Sequence, residues 1–423
     1  MAKYIVEQSG PLRGEVQISG AKNAVLPLMA AALLSEEECV IRDVPDLRDV
    51  SLMREILSSL GSQIEEIDEN VLSIHTRDIL STEADFELVN KMRASILVMG
   101  PLLARKGRAV IPMPGGCAIG ARPIDLHLKG FEALGAQIVK NDEAGFVEAV
   151  AGPQGLIGET IYLDFPSVGA TENIMMAAVL ADGTTYIENA AEEPEIVDLA
   201  NFLNKMGAKI KGAGTDTIKI EGVEGLGGAK HTVIPDRIEA ATFMLAAAIT
   251  RGAVHICNAV PDHLKPVIAK LRECGVRIEV GDDDLIVRGD LGPQYATDIK
   301  TLPYPGFPTD IQSPFMAYLT TVEGSSTVIE TVFENRFMHV AQLGKMGAII
   351  ETAGNKANVR GNAKLRGCHV MATDLRAGAA LVLAGLAAEG TTEISEIYHI
   401  ERGYEKFIEK FNSLGAHITR VDD

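Results

Sequence analysis

This chain of 423 residues has no long apolar run, no excess of basic residues and no closely spaced pair of cysteines. No apolar run is long enough to span a bilayer, and the N-terminal MAKYIVEQSG lacks the apolar region of a secretory signal, so we expect no membrane insertion. The 39 basic residues are outnumbered by 58 acidic ones, which argues against a surface that binds nucleic acid or anionic membranes. Any anion-binding site must therefore be a local cluster of Lys and Arg.

The cysteines exclude further classes of site. Their number is odd, they are scattered, and no two have CxxC spacing, so we expect reduced thiols in a cytoplasmic protein. No His/Cys/Asp cluster has metal-ligand spacing, and neither a G-x-G-x-x-G fingerprint nor a P-loop is present. The sequence therefore implies no metal and no organic cofactor. The five cysteines are Cys39, Cys117, Cys257, Cys274 and Cys368.

Internal repetition sets the organisation of the chain. Six segments each begin with a small or polar residue and continue as an apolar, Ala- and Met-rich stretch typical of a buried helix. A short β-like run follows each one, and then an amphipathic helix that ends on a signature such as EALGAQI or NKMGAKI. The copies are roughly 65 to 77 residues apart, which suits a compact unit of two helices and several strands. The six helical segments begin at Ser19, Asn90, Ser167, Pro235, Pro308 and Ala372.

These repeats predict an α/β fold of two domains with three units in each. The chain is too long for one ordinary core, and apolar helices inside surrounding sheets are the economical packing. The glycine-rich segment 222–237 marks the expected hinge. If the N-terminal strand KYIVEQ pairs with the last unit, one domain comprises residues 1–21 plus 234–423 and the other comprises residues 22–233.

The N-termini of the six inner helices form the predicted substrate site. Each end exposes free N–H groups and a partial positive charge, so ends that converge on a cleft between the two halves suit a substrate with several phosphates or carboxylates. The acids there could instead be ordinary helix caps. For Lys22 capping is a poor explanation, because a cation at a helix N-terminus opposes the dipole, and a bound anion would resolve this conflict. The charged residues near these ends are Lys22, Arg93, Arg237, Arg376, Asp236, Asp310 and Asp374.

The segment MPGGCAIGARPID, residues 113–125, places Cys117 among three glycines, with Arg122 nearby. Such a backbone turns tightly and leaves the sulfur accessible, and nearby cations favour the nucleophilic thiolate. The alternative is a small buried hydrophobe, which is the usual state of a free cysteine. We interpret the other four cysteines as packing residues.

Seven motifs extend from the first inner helix to near the C-terminus: SGAKNAVLP, PGGCAIGARPIDLHLKGFEALGA, PSVGATENIMMAA, GFPTDIQSPFMA, ENRFMHV, ATDLRAGAALV and ERGYEKF. Together they resemble the motifs of the UDP-N-acetylglucosamine 1-carboxyvinyltransferases, the MurA-type enolpyruvyl transferases that open bacterial peptidoglycan synthesis. The resemblance implies an inside-out α/β barrel in each of two domains, closing over phosphoenolpyruvate and UDP-N-acetylglucosamine. It also implies transfer of the enolpyruvyl group to the sugar 3-hydroxyl with release of phosphate.

The same resemblance assigns site residues. It implies that Lys22, Arg122 and Arg402 hold the phosphate and carboxylate of phosphoenolpyruvate, and that Asp310 accepts or relays the 3-hydroxyl proton. Cys117 is implied to add covalently to phosphoenolpyruvate or to donate a proton to the reacting carbon, and to be alkylated by the epoxide phosphonate fosfomycin. The other implied contacts are Asn23, Arg93, Arg122, Pro123, Ile124, Asp125, Leu126, Ser167, Val168, Gly169, Asp310 and Val332, with Arg336, Asp374 and Arg376 lining the same cleft.

Several of these residues have a structural alternative. Asp310 could cap a helix, Arg402 could form a surface ion pair with the acid beside it, and His127 could be a packed or capping histidine. Phe165 and Pro166 stand where some members of the family have a basic residue and a valine. That difference affects only the diphosphate contacts on that side.

Two other functions are open to the sequence. A non-catalytic nucleotide-sugar sensor would be supported by loss of Cys117, Asp310 or Lys22, and all three are present. The shikimate-pathway enolpyruvyl transferase shares the repeats but lacks the cysteine loop.

We also expect the glycine-rich segment 112–122 to be a mobile lid that the nucleotide sugar orders.

Overall fold

A computed structural model describes residues 2–113, 119, 124–141, 143 and 145–422. Cys117, Arg122 and Pro123 lie outside the described residues, as does most of the predicted lid. The described part of the chain forms 14 α-helices and 23 strands.

The helices are α1 (Lys22–Ala31), α2 (Arg48–Ser59), α3 (Phe86–Lys91), α4 (Met99–Lys106), α5 (Asp125–Ala133), α6 (Val168–Ala178), α7 (Pro194–Lys205), α8 (Arg237–Ile249), α9 (Lys265–Glu273), α10 (Gln312–Leu319), α11 (His339–Lys345), α12 (Leu375–Ala387), α13 (Tyr398–Glu401) and α14 (Phe407–Ser413).

The strands are β1 (Lys3–Glu7), β2 (Arg13–Gln17), β3 (Glu38–Arg42), β4 (Gln63–Asp68), β5 (Val71–His75), β6 (Arg108–Pro112), β7 (Gln137–Asn141), β8 (Phe146–Val150), β9 (Thr160–Tyr162), β10 (Thr184–Glu188), β11 (Lys209–Lys211), β12 (Thr217–Glu221), β13 (Lys230–Thr232), β14 (Ala253–Cys257), β15 (Arg277–Val280), β16 (Asp284–Arg288), β17 (Ile299–Lys300), β18 (Ser325–Ile329), β19 (Ile349–Ala353), β20 (Lys356–Arg360), β21 (His369–Met371), β22 (Thr391–Ser395) and β23 (Ile418–Val421).

The described residues divide into two compact units. The first contains those of residues 1–19, 117–121 and 235–423, and the second contains those of residues 20–116 and 122–234. The chain passes from one unit to the other after Ser19 and after Ile234, and the second passage falls within the glycine-rich segment 222–237. The domain bounds 1–21 plus 234–423 and 22–233, and the cleft between the halves, stay predictions.

The first unit is built from three four-stranded sheets and three apolar helices. The sheet orders are β21-β22-β1-β23, β15-β16-β14-β2 and β17-β18-β20-β19. Helices α8, α10 and α12 are buried nearly from end to end and contact one another. Strand β1 is antiparallel to β22, with Tyr4 opposite Ile394, so the N-terminal strand does pair with the last repeat.

The second unit repeats this plan. Its sheets have the orders β13-β3-β5-β4, β11-β12-β10-β9 and β6-β8-β7. Helices α1 and α6 are buried on nearly all sides, whereas α2 and α7 carry exposed polar residues on one side, as the amphipathic pattern predicts. The strand nearest the end of this unit, β13, pairs in parallel with β3 near its beginning.

The six repeats are confirmed, with one departure. All six β-like runs form strands, namely β3, β6, β10, β14, β18 and β22. The segment from Asn90, however, is not one inner helix, because α3 ends at Lys91 and Met92 is extended. A 3-10 turn over residues 93–98 follows before α4 begins. Pro101 lies in the first turn of α4, where its missing N–H removes no hydrogen bond of the helix.

In three repeats, a glycine allows the end of a strand to approach the main chain in or just after the inner helix. Gly222, Gly289 and Gly361 directly follow β12, β16 and β20. A Cβ on any of them would collide with a main-chain carbonyl oxygen, so no larger residue fits without movement of the backbone. The distances from that Cβ would be 1.7 Å to Ala181 O, 2.5 Å to Ala247 O and 1.9 Å to Val322 O, respectively.

Replacement of Gly361 by alanine is therefore expected to destabilise the first unit by about 1–3 kcal/mol, because the added methyl group forces β20 away from the Val322 carbonyl. Urea denaturation of the purified protein measures this change as a lower transition midpoint.

Gly344→Ala is the matched control. Gly344 is an exposed residue inside α11, and a Cβ there would have no atom within 4 Å. That change is expected to be neutral or to stabilise by up to about 1 kcal/mol, since glycine is a poor helix former. Equal midpoints for the two variants would show that the close approach at Gly361 is not required.

Candidate active site

Lys22 is the first residue of α1, and its surroundings bear on the anion-binding argument. Ala21 precedes it without a side-chain cap, and the first turn of α1 contains no acid. The Nζ atom of Lys22 lies 3.1 Å from Oδ2 of Asp49, a buried carboxylate in the first turn of α2. The chain's own carboxylate thus offsets part of the conflict between this lysine and the helix dipole. A substrate anion at Lys22 would share it with Asp49.

His127 is packed between two helix N-termini of the second unit. It is buried in α5, and its Nδ1 lies 3.1 Å from Asn173 Nδ2, which donates to it. Burial, together with the charge of Arg93, lowers the pKa of His127 to about 3. The ring is therefore neutral at neutral pH and carries its proton on Nε2. A Cβ on Gly169 would lie only 3.5 Å from this Nε2, so the start of α6 packs directly against His127.

The remaining predicted contacts of this unit lie at the beginnings of helices. Ser167 caps α6, with Oγ accepting a hydrogen bond from the N–H of Ala170 at 3.3 Å. Asp125 opens α5 and is exposed, where it pairs with Lys140 at 2.9 Å. The packing around His127 brings the α5 start and the α6 start together. Of the others, Asn23 is exposed, Ile124 is buried, and Arg93, Leu126, Val168 and Gly169 are half-buried.

Asp310 lies between two arginines in the first unit. It belongs to the 3-10 turn Thr309–Ile311 that leads into α10. Its Oδ1 accepts from Nη2 of Arg336 at 2.8 Å, and its Oδ2 accepts from Nη2 of Arg376 at 3.0 Å and from Nε at 3.2 Å. Both arginine side chains are only 4% exposed. The alternative that Asp310 caps a helix is therefore wrong, because its two oxygens bind guanidinium groups.

The two arginines determine the charge of Asp310. Burial by itself raises the pKa of this carboxyl, but Arg376 and Arg336 lower it by more, so its pKa lies well below the usual range. The group is therefore ionised at neutral pH and holds a proton weakly. It is well suited to accept a hydrogen bond from a hydroxyl group.

The arginines are themselves held by aromatic rings. The guanidinium of Arg336 lies over Phe333 at 5.2 Å from the ring centroid, and that of Arg376 lies over Tyr404 at 5.4 Å. Nη1 of Arg376 is buried and has no hydrogen-bond partner among the described residues.

Two further acids near the inner helices are caps. Asp236 accepts from the N–H groups of Ile238 and Glu239 at 2.8 and 3.0 Å, at the start of α8. Asp374 caps α12 in the same way, accepting from the N–H groups of Arg376 and Ala377. A capping carboxylate is already used by the backbone, so these two serve to fix the helix ends from which Arg237 and Arg376 project.

A buried acid holds Val332, the predicted contact that follows β18. Oε1 of Glu330 accepts the N–H of Val332 at 2.9 Å, and Oε2 accepts the hydroxyl of Thr309 at 3.0 Å. Thr309 also accepts from Arg336 at 3.4 Å. Glu330 thus ties the Val332 turn to the residue beside Asp310.

Arg402 ends the short helix α13 and is half-buried. The acid beside it, Glu401, pairs with Arg420 at 2.8 Å and accepts the hydroxyl of Tyr4 at 3.3 Å. Glu401 thus forms an ion pair with a residue of β23. The alternative that Arg402 forms a surface ion pair stays a prediction.

Three residues that position these side chains were not predicted from the sequence. Asp49 holds Lys22, Glu330 holds Val332 and Thr309, and Asn173 holds His127. Only Asn173 lies within a motif identified from the sequence, PSVGATENIMMAA. A buried polar residue on an apolar inner helix was the signal that could have revealed it.

The structure also bears on the expectations about cysteines and membrane-spanning helices. Among the described cysteines, Cys39, Cys257, Cys274 and Cys368 are all unpaired. Cys39 and Cys274 are buried, as expected of packing residues, whereas Cys257 and Cys368 are only half-buried. Within the described part of the chain, no helix has the length and apolar character needed to cross a membrane.

Comparison with known proteins decides the family. The sequence profile of EPSP synthase (3-phosphoshikimate 1-carboxyvinyltransferase) matches residues 6–411. UDP-N-acetylglucosamine 1-carboxyvinyltransferase 1 of Caldanaerobacter subterraneus subsp. tengcongensis is 63% identical over 418 residues, covering 99% of each chain. This chain belongs to the UDP-N-acetylglucosamine 1-carboxyvinyltransferase family. The enzyme of that name from Finegoldia magna is 59% identical over 418 residues, covering 99% of this chain and 98% of the relative.

The fold of this family member is also found in solved structures. The enolpyruvyl transferase NikO from Streptomyces tendae matches it with a TM-score of 0.90 and 25% identity, covering 99% of each chain. The two-domain inside-out α/β fold expected from the sequence is therefore confirmed.

Proposed function

We propose that this chain transfers the enolpyruvyl group of phosphoenolpyruvate to the 3-hydroxyl of UDP-N-acetylglucosamine and releases phosphate. This is the first committed step of bacterial peptidoglycan synthesis. The observation that carries the proposal is 54–63% identity along the whole chain to relatives that bear the name of this activity.

The transfer needs an acid, a base and cations at defined atoms. The sugar 3-hydroxyl oxygen bonds to C2 of phosphoenolpyruvate while C3 gains a proton, and the C2–O bond to phosphate then breaks as C3 loses a proton. We assign the proton donor to Cys117 and the orientation of the hydroxyl to Asp310. Lys22, Arg122 and Arg402 are assigned to the phosphate and carboxylate.

The surroundings of Asp310 support a two-stage role for that residue. In the protein without substrate, both guanidinium groups bind the carboxylate and keep its proton affinity low. An anionic substrate that binds Arg336 or Arg376 would weaken one of these contacts. The carboxylate then becomes a better acceptor for the 3-hydroxyl proton at the moment that the substrate is in place.

The nucleotide sugar is assigned to the helix starts of the second unit. The N-termini of α5 and α6 present N–H groups and partial positive charge, which suits a diphosphate. The neutral His127 holds these two ends together through Gly169. The nucleotide-sugar contacts assigned to this unit are Asn23, Arg93, Arg122 to Leu126 and Ser167 to Gly169. Asp310 and Val332 of the first unit are assigned to the same substrate.

Release of inorganic phosphate tests the proposal directly. With phosphoenolpyruvate present, we expect phosphate release with UDP-N-acetylglucosamine and none with shikimate 3-phosphate. Release with shikimate 3-phosphate alone would assign the chain to the sister enzyme, whose name the family profile bears. Binding of the nucleotide sugar without any release would indicate a sensor.

The inhibitor fosfomycin supplies a control for the same assay. The cations assigned to the phosphate of phosphoenolpyruvate would also hold a phosphonate, and the epoxide then lies near a thiolate. We expect one adduct by intact-mass spectrometry, located on Cys117 and absent from Cys117→Ser. An adduct on Cys39, Cys257, Cys274 or Cys368 would contradict the assignment of Cys117.

The proposed location is the cytoplasm. The unpaired state of the four described cysteines agrees with a reducing compartment. No metal or organic cofactor is part of the proposed reaction, because the proton transfers and the loss of phosphate use only side chains and substrates.

A further inference from the structure

The outer face of one sheet in the first unit carries an unusual set of side chains. In the sheet β15-β16-β14-β2, Val254 and Ile256 of β14 point to the core, so His255 and Cys257 point outward. Strand β2 is parallel to β14 and places Glu15 opposite His255. Strand β16 is antiparallel on the other side and places Asp284 opposite Cys257. Four residues with metal-binding side chains are therefore neighbours on one solvent-facing surface.

Three of these residues place one ligand atom each close together. Nδ1 of His255 lies 3.4 Å from Oε2 of Glu15 and 3.5 Å from Sγ of Cys257. One ligand atom from each residue lies within 4.8 Å of the others. Tetrahedral zinc with bonds of about 2.0–2.1 Å to nitrogen and oxygen and about 2.3 Å to sulfur separates its ligands by about 3.3–3.6 Å. The two distances from Nδ1 of His255 match this separation, and the ligand atoms of Glu15 and Cys257 lie within 4.8 Å of each other.

Asp284 orients the histidine for this purpose. Its Oδ2 lies 2.6 Å from Nε2 of His255, so Nε2–H donates to the carboxylate. Nδ1, which lies on the side of Glu15, is then available as a ligand, and Sγ of Cys257 lies 3.5 Å from Nδ1 and 3.6 Å from Nε2. A carboxylate that binds the second nitrogen of a ligating histidine is the usual support of protein zinc sites, since it fixes the tautomer and raises the basicity of the ligand.

The charge of the surface favours a cation. Glu15 and Asp284 contribute two carboxylates, and Asp283 lies close enough to act on Cys257 electrostatically. Glu15 is 66% exposed and His255 is 34% exposed, so an ion can reach the site from solvent. None of these residues belongs to the proposed active site.

We propose that Glu15, His255 and Cys257 bind one Zn²⁺ ion, with Asp284 as the positioning carboxylate of His255 and water as the fourth ligand. Nitrogen, thiolate and carboxylate ligands together suit Zn²⁺ and its spectroscopic substitute Co²⁺, not Mg²⁺ or Ca²⁺. The ion would join β2, near the N-terminus, to β14 in the middle of the chain. The competing explanation is a metal-free ion pair, in which a protonated His255 bridges Glu15 and Asp284.

Titration of the metal-free, full-length protein with Co²⁺ distinguishes these explanations. We expect one equivalent of Co²⁺ to bind, with a thiolate-to-metal absorption band and the visible bands of four-coordinate cobalt, and Zn²⁺ to displace it. Cys257→Ser should abolish the thiolate band, and His255→Ala should abolish binding. Asp284→Asn should weaken binding by about 10–100-fold while keeping the spectrum.

Matched controls come from a second cysteine and histidine of the same unit. Cys368→Ser and His369→Ala alter a half-buried cysteine and an exposed histidine on or beside β21, and both should bind Co²⁺ as the unaltered protein does. Thermal unfolding without metal checks that every variant is folded. Zn²⁺ should raise the unfolding temperature of the unaltered protein and leave that of His255→Ala unchanged.

Two results would overturn the proposal. One is the absence of stoichiometric Co²⁺ or Zn²⁺ binding, which leaves the metal-free ion pair as the explanation. The other is a thiolate band that persists in Cys257→Ser and disappears in Cys117→Ser, which places the metal at the cysteine loop.

Discussion

Asp310→Asn is expected to lower kcat by about 10²-fold or more, with a smaller change in KM for either substrate. The amide keeps the size of the side chain but cannot take a proton, and it no longer neutralises Arg336 and Arg376. Since these guanidinium groups are only 4% exposed, the change should also lower the free energy of unfolding by about 3 kcal/mol. Steady-state kinetics and urea denaturation measure the two effects separately.

Asp422→Asn is the matched control for stability. Asp422 pairs with Arg420 on the surface, where the two side chains are 70% and 41% exposed. Loss of an exposed ion pair costs about 1 kcal/mol or less, so this variant should unfold nearly as the unaltered protein does. An effect of Asp310→Asn on KM alone, with kcat intact, would mean that Asp310 only binds substrate.

The free energy of unfolding should depend on pH through the same ion pairs of Asp310. Because the pKa of Asp310 lies below the usual range in the folded protein, its ionised form contributes stability that is present above the ordinary Asp pKa. That stability is lost as pH falls through the ordinary value toward the lowered one. The loss of stability of Asp310→Asn relative to the unaltered protein should therefore shrink at acid pH.

Lys22→Met is expected to lower kcat/KM for phosphoenolpyruvate by about 10²–10³-fold, since removal of one partner of a largely desolvated ion pair costs about 2–5 kcal/mol. The Lys22 side chain is 13% exposed and is held by Asp49 at 3.1 Å. Methionine retains the length and removes the charge. Steady-state kinetics with phosphoenolpyruvate as the varied substrate measures the effect.

If Lys22 has only a structural role, its replacement should change stability and not kinetics. At the first position of α1 a neutral residue suits the helix dipole better than a cation. Loss of the charge would in that case alter stability only because Asp49 loses its partner, and kcat/KM would not change. Lys22→Arg should recover part of the activity because it keeps the charge. Lys219→Met, which removes an exposed lysine paired with Glu221, should leave kcat/KM unchanged.

The sequence by itself determined the repeat plan. Apolar residues on every side of segments such as MLAAAI leave a helix no polar face, so α8 has to be buried, and the alternating run VHIC has to form a strand with one face inward. The break at Met92 was not predicted, because the largely apolar pattern of the segment from Asn90 continues through it.

The sequence also named the charged residues of the candidate site, but tertiary structure decided what each of them contacts. Asp310 has the local setting of a helix cap, and only the folding of residues 336 and 376 against it makes it the centre of a buried ion network. Likewise Asp49 meets Lys22, and Glu15 meets His255 and Cys257 across two strands far apart in the chain. Helices and strands follow from periodicity, which is local. Ion pairing and ligand geometry depend on which distant segments pack together, and no spacing along the chain records that.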